Sequence, residues 1–157
     1  MNANNVNYNL EQSPVGMGIR KIAQVVRFKD FTDGGSTVGT LTMKDQLPLG
    51  AFVIGAKVTV KEAFNPTTSC VLKIGKSSGE DEFTYGNVQD INIFTTGNKQ
   101  SLTEAAKSII EAAQSVYLHA TGGANWSTCT AGKMLVEIFY LSTVTELLNP
   151  GVDKLNW

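Results

Sequence analysis

The sequence predicts an all-β protein: an antiparallel β-sandwich of the jelly-roll type, with one short helix and an extended N-terminal arm. Three observations carry this. Short stretches alternate apolar and polar residues, the two-residue period of a half-buried strand. Turn clusters separate them, such as Asp33-Gly34-Gly35-Ser36 and Leu47-Pro48-Leu49-Gly50, where Gly supplies positive φ and Asp bonds its own backbone. Strands do not alternate with helices, which argues against a doubly wound nucleotide-binding fold. The 157 residues make one domain with its own core. The expected organisation is an arm over 1–18, a sandwich over 19–145 and a tail over 146–157.

Residues 1–18 carry Asn at positions 2, 4, 5, 7 and 9, then Pro14, Gly16 and Gly18. Such a stretch has too little apolar surface to order itself. It reads as a frayed terminus or as an arm that orders on a neighbouring subunit, with Tyr8, Leu10 and Met17 as candidate anchors. Arg20 to Phe28 is the first strand, with Ile22, Val25, Val26 and Phe28 as its apolar residues. Thr37 to Lys44 places Val38, Thr40 and Thr42 on one face and Gly39, Leu41 and Met43 on the other. Phe52 to Phe64 is the clearest strand, with Ile54, Ala56, Val58 and Val60 at period two and Lys57, Thr59 and Lys61 opposite. Cys70 to Gly75 turns Cys70, Leu72 and Ile74 inward. Ser77 to Glu82 is a polar loop, and Val88 to Thr95 is a weaker strand.

Ser101-Leu102-Thr103-Glu104 reads as a capping box, in which each side chain satisfies the other's free N–H. Leu102, Ala105, Ala106, Ile109, Ile110 and Ala113 then follow at helix spacing, predicting a helix over 102–114. Val116 to Thr121 is a strand that turns at Gly122-Gly123. Lys133 to Ser142 is apolar enough to be a central strand. Thr145 to Asn149 reads as a single helical turn stopped by Pro150-Gly151, and Trp157 is a candidate anchor at the end of the tail.

Composition removes several function classes from the front rank. The formal net charge is −1 and the isoelectric point is about 5.8. That balance does not fit a nucleic-acid or anionic-membrane footprint. Charged residues are 17%, against about 25% in average globular proteins. Thr and Asn take their place, giving a plain hydrogen-bonding surface. The first eighteen residues have no basic and apolar regions of a secretory signal. No apolar run reaches the roughly 20 residues of a spanning helix. Cys70 and Cys129 are too few for a disulfide framework and read as small apolar fillers in a protein made in a reducing cytosol.

Candidate chemistry is sparse. Gly75-Lys76-Ser77 resembles the end of a phosphate loop, but position 70 holds Cys where that loop needs Gly. His119 is the one histidine, mid-strand, so neither a nucleophile–His pair nor a zinc site gathers around it. Glu80-Asp81-Glu82 lacks the alternating pattern of a calcium loop and reads as solvated. No cofactor is expected. Trp126, in a loop, reads as an indole folded onto the core edge; the sharper alternative is a carbohydrate-binding module, with Trp126, Tyr117 and Tyr85 as a stacking platform, which requires Trp126 and a Tyr exposed on one face.

The run Leu47-Pro-Leu-Gly-Ala-Phe-Val-Ile-Gly-Ala-Lys-Val-Thr-Val-Lys-Glu-Ala-Phe64 leads from a short loop into a long alternating strand. Ser69 to Gly75, the loop Ser77 to Phe83 and the strand Gly132 to Tyr140 complete a pattern over 36–141. The pattern resembles the small jelly-roll capsid decoration (cement) proteins and related head proteins of tailed bacteriophages. The resemblance implies a virion structural protein, made in the host cytoplasm, that performs no chemistry. It implies contacts with the major capsid protein and with copies of itself, a homotrimer being favoured, and none with nucleic acid or membrane. A carbohydrate-binding part of a head or tail fibre is the rival reading.

Overall fold

A computed structural model describes residues 19–66, 68–84, 91–102 and 109–141. Among the described residues nine strands follow one another: β1 (Ile19–Arg27), β2 (Thr32–Asp33), β3 (Val38–Leu47), β4 (Phe52–Glu62), β5 (Cys70–Gly75), β6 (Ile91–Asn92), β7 (Gly97–Leu102), β8 (Gln114–Gly122) and β9 (Lys133–Leu141). They form a four-stranded sheet in the order β1-β9-β4-β7 and a five-stranded sheet in the order β2-β3-β8-β5-β6. All the pairings are antiparallel.

With the two-residue β2 set aside, the pairing is nested. β1 pairs with β9, β3 with β8, β4 with β7 and β5 with β6. One long hairpin has been rolled up, each successive pair falling in the opposite sheet. This is the jelly-roll arrangement that the turn spacing predicts. β1 packs beside β3, where Gln24 Oε1 accepts the Lys44 N–H at 2.8 Å, and β6 packs beside β7.

The inner faces make one core. β9 contributes Met134, Val136, Ile138 and Tyr140, and β8 contributes Val116, Leu118 and Ala120. Both are interior strands of their sheets, as the apolar run 133–141 predicts. On β5, Cys70, Leu72 and Ile74 point inward as expected. On β4 the alternation is interrupted. Ile54 is the extra residue of a bulge between Val53 and Gly55. A bulge changes which face the following residues take, so Val53 joins Ala56, Val58 and Val60 inside while Ile54 is only half-buried.

The predicted helix over 102–114 needs correction. Leu102 closes β7, and Gln114 opens β8. Ile109 bridges to Phe52, and Ile110 exchanges backbone hydrogen bonds with Gly50 (2.6 Å) and Ala51 (2.9 Å). Ile109 is 59% exposed and Ile110 2% exposed; neighbours facing opposite ways are extended backbone. Residues 103–108 lie outside the described residues. The supposed cap Ser101 is buried in β7, its Oγ donating to the Thr84 carbonyl at 2.8 Å. β7 itself is missing from the sequence prediction because Gly97-Asn-Lys-Gln-Ser101 carries no apolar alternation; pairing with β4 makes it a strand.

Candidate contact face

On the outer side of the four-stranded sheet, register fixes the rows that cross the strands. Ile19 lies beside Leu141 and Phe52; Lys21 beside Phe139 and Gly55; Ala23 beside Glu137, Lys57 and Gln100; Val25 beside Leu135, Thr59 and Asn98. Each strand turns every second residue to this side. The result is a mixed face on which the large apolar residues Ile19, Val25, Phe52, Leu135, Phe139 and Leu141 are interspersed with charged and polar ones. Ile19 is 68% exposed, Val25 50% and Phe52 41%. Ile109, bridged to Phe52 and 59% exposed, extends the apolar surface at one end.

Within this face lies a groove of about 620 Å³. Phe139, Ile19 and the bulged Ile54 supply apolar walls, and Gly55 leaves the row beside Phe139 without a side chain. Lys57 and Gln100 stand along one wall. Glu137 belongs to the same outer row yet is only 6% exposed. Lys21 Nζ donates to its Oε1, an ion pair whose carboxylate is buried and whose lysine is half exposed.

The five-stranded sheet presents a different outer face. Thr40 and Thr42 come from β3, Lys73 from β5, and Tyr117, His119 and Thr121 from β8. Gly79 of the loop after β5 sits over the His119 ring, its direction of substitution 3.9 Å from Cε1. His119 Nδ1 is buried and has no hydrogen-bond partner among the described residues. Burial, and then the cation of Lys73 opposite, push the imidazole pKa down, favouring the neutral form.

The residues singled out in the sequence fall in several places. Tyr8, Leu10, Met17, Trp157 and Tyr85 lie outside the described residues. Trp126 is not the exposed platform that the glycan reading requires; it is 4% exposed. Its indole lies 5.1 Å from the Phe31 ring, stacks near Phe64 at 6.4 Å, and lies against Gly39. A Cβ on Gly39 would stand 2.3 Å from Trp126 Cε2, so glycine in β3 makes the slot that draws the loop indole inside. Tyr117 points outward from β8, so the two rings do not share a face.

Cys70 and Cys129 are free and buried. Burial, with Cys129 reinforcing it, pushes the Cys70 thiol up to about 12, and burial raises Cys129 as well. Cys129 Sγ donates to the Ala131 carbonyl at 3.2 Å. Of the acidic run, Glu82 is not merely solvated. Its Oε2 accepts the Lys76 N–H at 2.9 Å and so ties the loop to the end of β5. Among the described residues, no three His, Cys, Asp or Glu side chains gather as a metal site would require.

The fold and the face together define a two-sheet all-β body with a cluster of large apolar residues on the outer side of its four-stranded sheet. No protein-family model matches the chain, and no curated protein matches it. Among solved structures, the capsid asymmetric unit of cyanophage Pam1 matches with 19% sequence identity and a TM-score of 0.48. That match covers 80% of this chain and 85% of the other.

Proposed function

We propose that this protein is a structural component of a tailed-bacteriophage particle, a capsid decoration (cement) protein that works by adhesion and transforms no substrate. The observation that carries this reading is the cluster of outward large apolar residues, Ile19, Leu141, Phe52 and Phe139, at one end of the four-stranded sheet. Clustered exposed apolar side chains mark sites that other protein covers. The jelly-roll body suits a rigid adhesive unit, and the 36–141 motif pattern resembles the decoration proteins. Its partners in this reading are the major capsid protein and copies of itself, in a trimer or another closed ring. Contacts that are weak singly become firm when repeated over a lattice.

The test is to locate the chain in assembled particles at residue resolution. The expected result places the Ile19–Phe52–Phe139 side against a neighbouring protein. A chain that never co-purifies with particles overturns the reading. Deleting residues 1–18 tests the arm separately: the sandwich still folds and particle attachment weakens, whereas unchanged attachment removes the arm from the mechanism.

A further inference from the structure

We propose that the groove at Ile54 receives residues 142–157 of a neighbouring copy of this chain. The inference rests on the adhesive reading above, which requires contacts that cross between molecules, and it names the site and its occupant.

The groove's own chemistry comes first. Its walls are apolar at Ile19, Ile54 and Phe139, with Lys57 on one side. The acid beside Lys57, Glu137, is already engaged by Lys21. Lys57 itself has no ion pair among the described residues. The outward rows carry Lys21, Arg27, Lys57 and Lys133 against Glu62 and Glu137, so 4 − 2 = +2 on a chain whose formal charge is −1. An occupant that matches this surface has large apolar side chains and spare carboxylates.

Residues 142–157 have that composition. They carry Leu147, Leu148, Val152, Leu155 and Trp157, with Glu146 and Asp153 against the single cation Lys154. The segment begins at the face itself, because Leu141 lies in the outward row between Ile19 and Phe52. Sixteen residues extended at about 3.3 Å each can reach roughly 50 Å, enough to cross to an adjoining molecule. Residues 1–18, which precede Ile19 of the same row, bring one acid, Glu11, and many Asn, a poorer match. A Trp or Leu side chain fills the groove, and a carboxylate of the segment meets Lys57; buried aromatic anchors of this kind dominate contact energies.

The full-length protein with Gln100→p-benzoylphenylalanine tests this, since Gln100 is an exposed wall residue. Irradiation is carried out at concentrations where the chain self-associates or on isolated particles. The expected product has twice the chain mass and joins position 100 to a peptide within 142–157. Adding Lys57→Glu lowers its yield about fivefold by reversing the wall charge. An adduct to any other peptide, an adduct within one chain, an unchanged yield in Lys57→Glu, or no adduct overturns the assignment. If the protein still binds particles in those cases, only the groove assignment falls. If it neither self-associates nor binds particles, the adhesive reading falls with it.

Discussion

At one end of the sandwich Phe31, Phe64 and Trp126 close on each other, with Phe31 and Phe64 edge to face at 6.0 Å, and all three are shut away from water. On the outer side of the four-stranded sheet Ile19, Val25 and Phe52 remain in it. Residues of similar hydrophobicity therefore do two jobs. In the first region glycines make the room: Gly39 accepts the indole, and Gly132, at φ 142°, lies against the Phe64 ring. That region holds the body together. In the second region register alone turns the side chains outward, and they stand 41–68% exposed. The difference teaches that hydrophobicity by itself does not separate a core from an outer face; what packs against the residue does.

Substitutions can break or sharpen that contrast. The largest effect is expected from Trp126→Ala. Removing a buried indole costs about 3–5 kcal/mol, a large part of a typical domain's stability. Urea unfolding should show this loss, while the molecules that remain folded keep their association. A normal midpoint would mean that the aromatic end is not structural. Gly39→Ala is expected to cost about 1–3 kcal/mol through overpacking against the same indole. Thermal unfolding measures it, and an unaltered melting temperature would show that the slot can widen freely.

The converse experiment addresses the open face. Val25→Asp should weaken self-association or particle binding about tenfold, equivalent to about 1.4 kcal/mol, with stability shifted by no more than about 0.5 kcal/mol. Thr42→Asp, on the outer side of the other sheet, serves as the matched control and should change neither. Light scattering and particle co-sedimentation read the pair. Equal effects of the two substitutions would erase the distinction between the sheets.

The smallest effect concerns His119. Its pKa in the folded state is lowered from 6.5 by burial and then by Lys73, so the unfolded chain binds the proton more readily. Its contribution to stability is complete above the unfolded pKa and declines as the pH falls from there toward the lower folded value. The unfolding midpoint should drop in acid over that window, and His119→Gln should flatten the drop. A pH dependence identical in the variant would assign the effect to other groups.

Much of the fold was legible in the sequence because strands with one wet face write their period into it. β5, β8 and β9 came through that way, as did the turns at Gly34-Gly35 and Leu47–Gly50. The face of β4 was legible only in part, since a bulge at Ile54 leaves no local signature in an apolar run. The stretch 109–114 misled because Ile109 and Ile110 satisfy a helical spacing and an extended one equally, and the backbone bonds offered by Gly50 and Ala51 decide between them. Trp126 was legible as a loop indole folded onto the core edge, but the slot that takes it, made by Gly39 far away in the chain, was not.

By itself the sequence determined the fold class, the inward side of β5, the central place of β9, and a surface low in charge. These follow from local alternation and turn chemistry, which act over a few residues. Only the tertiary structure decided the rows across the four-stranded sheet, the groove beside Ile54, and which large apolar residues are sealed in and which face outward. The reason is physical: those outcomes depend on pairings between residues more than a hundred positions apart, such as Ile19 with Leu141, and no local propensity carries that information.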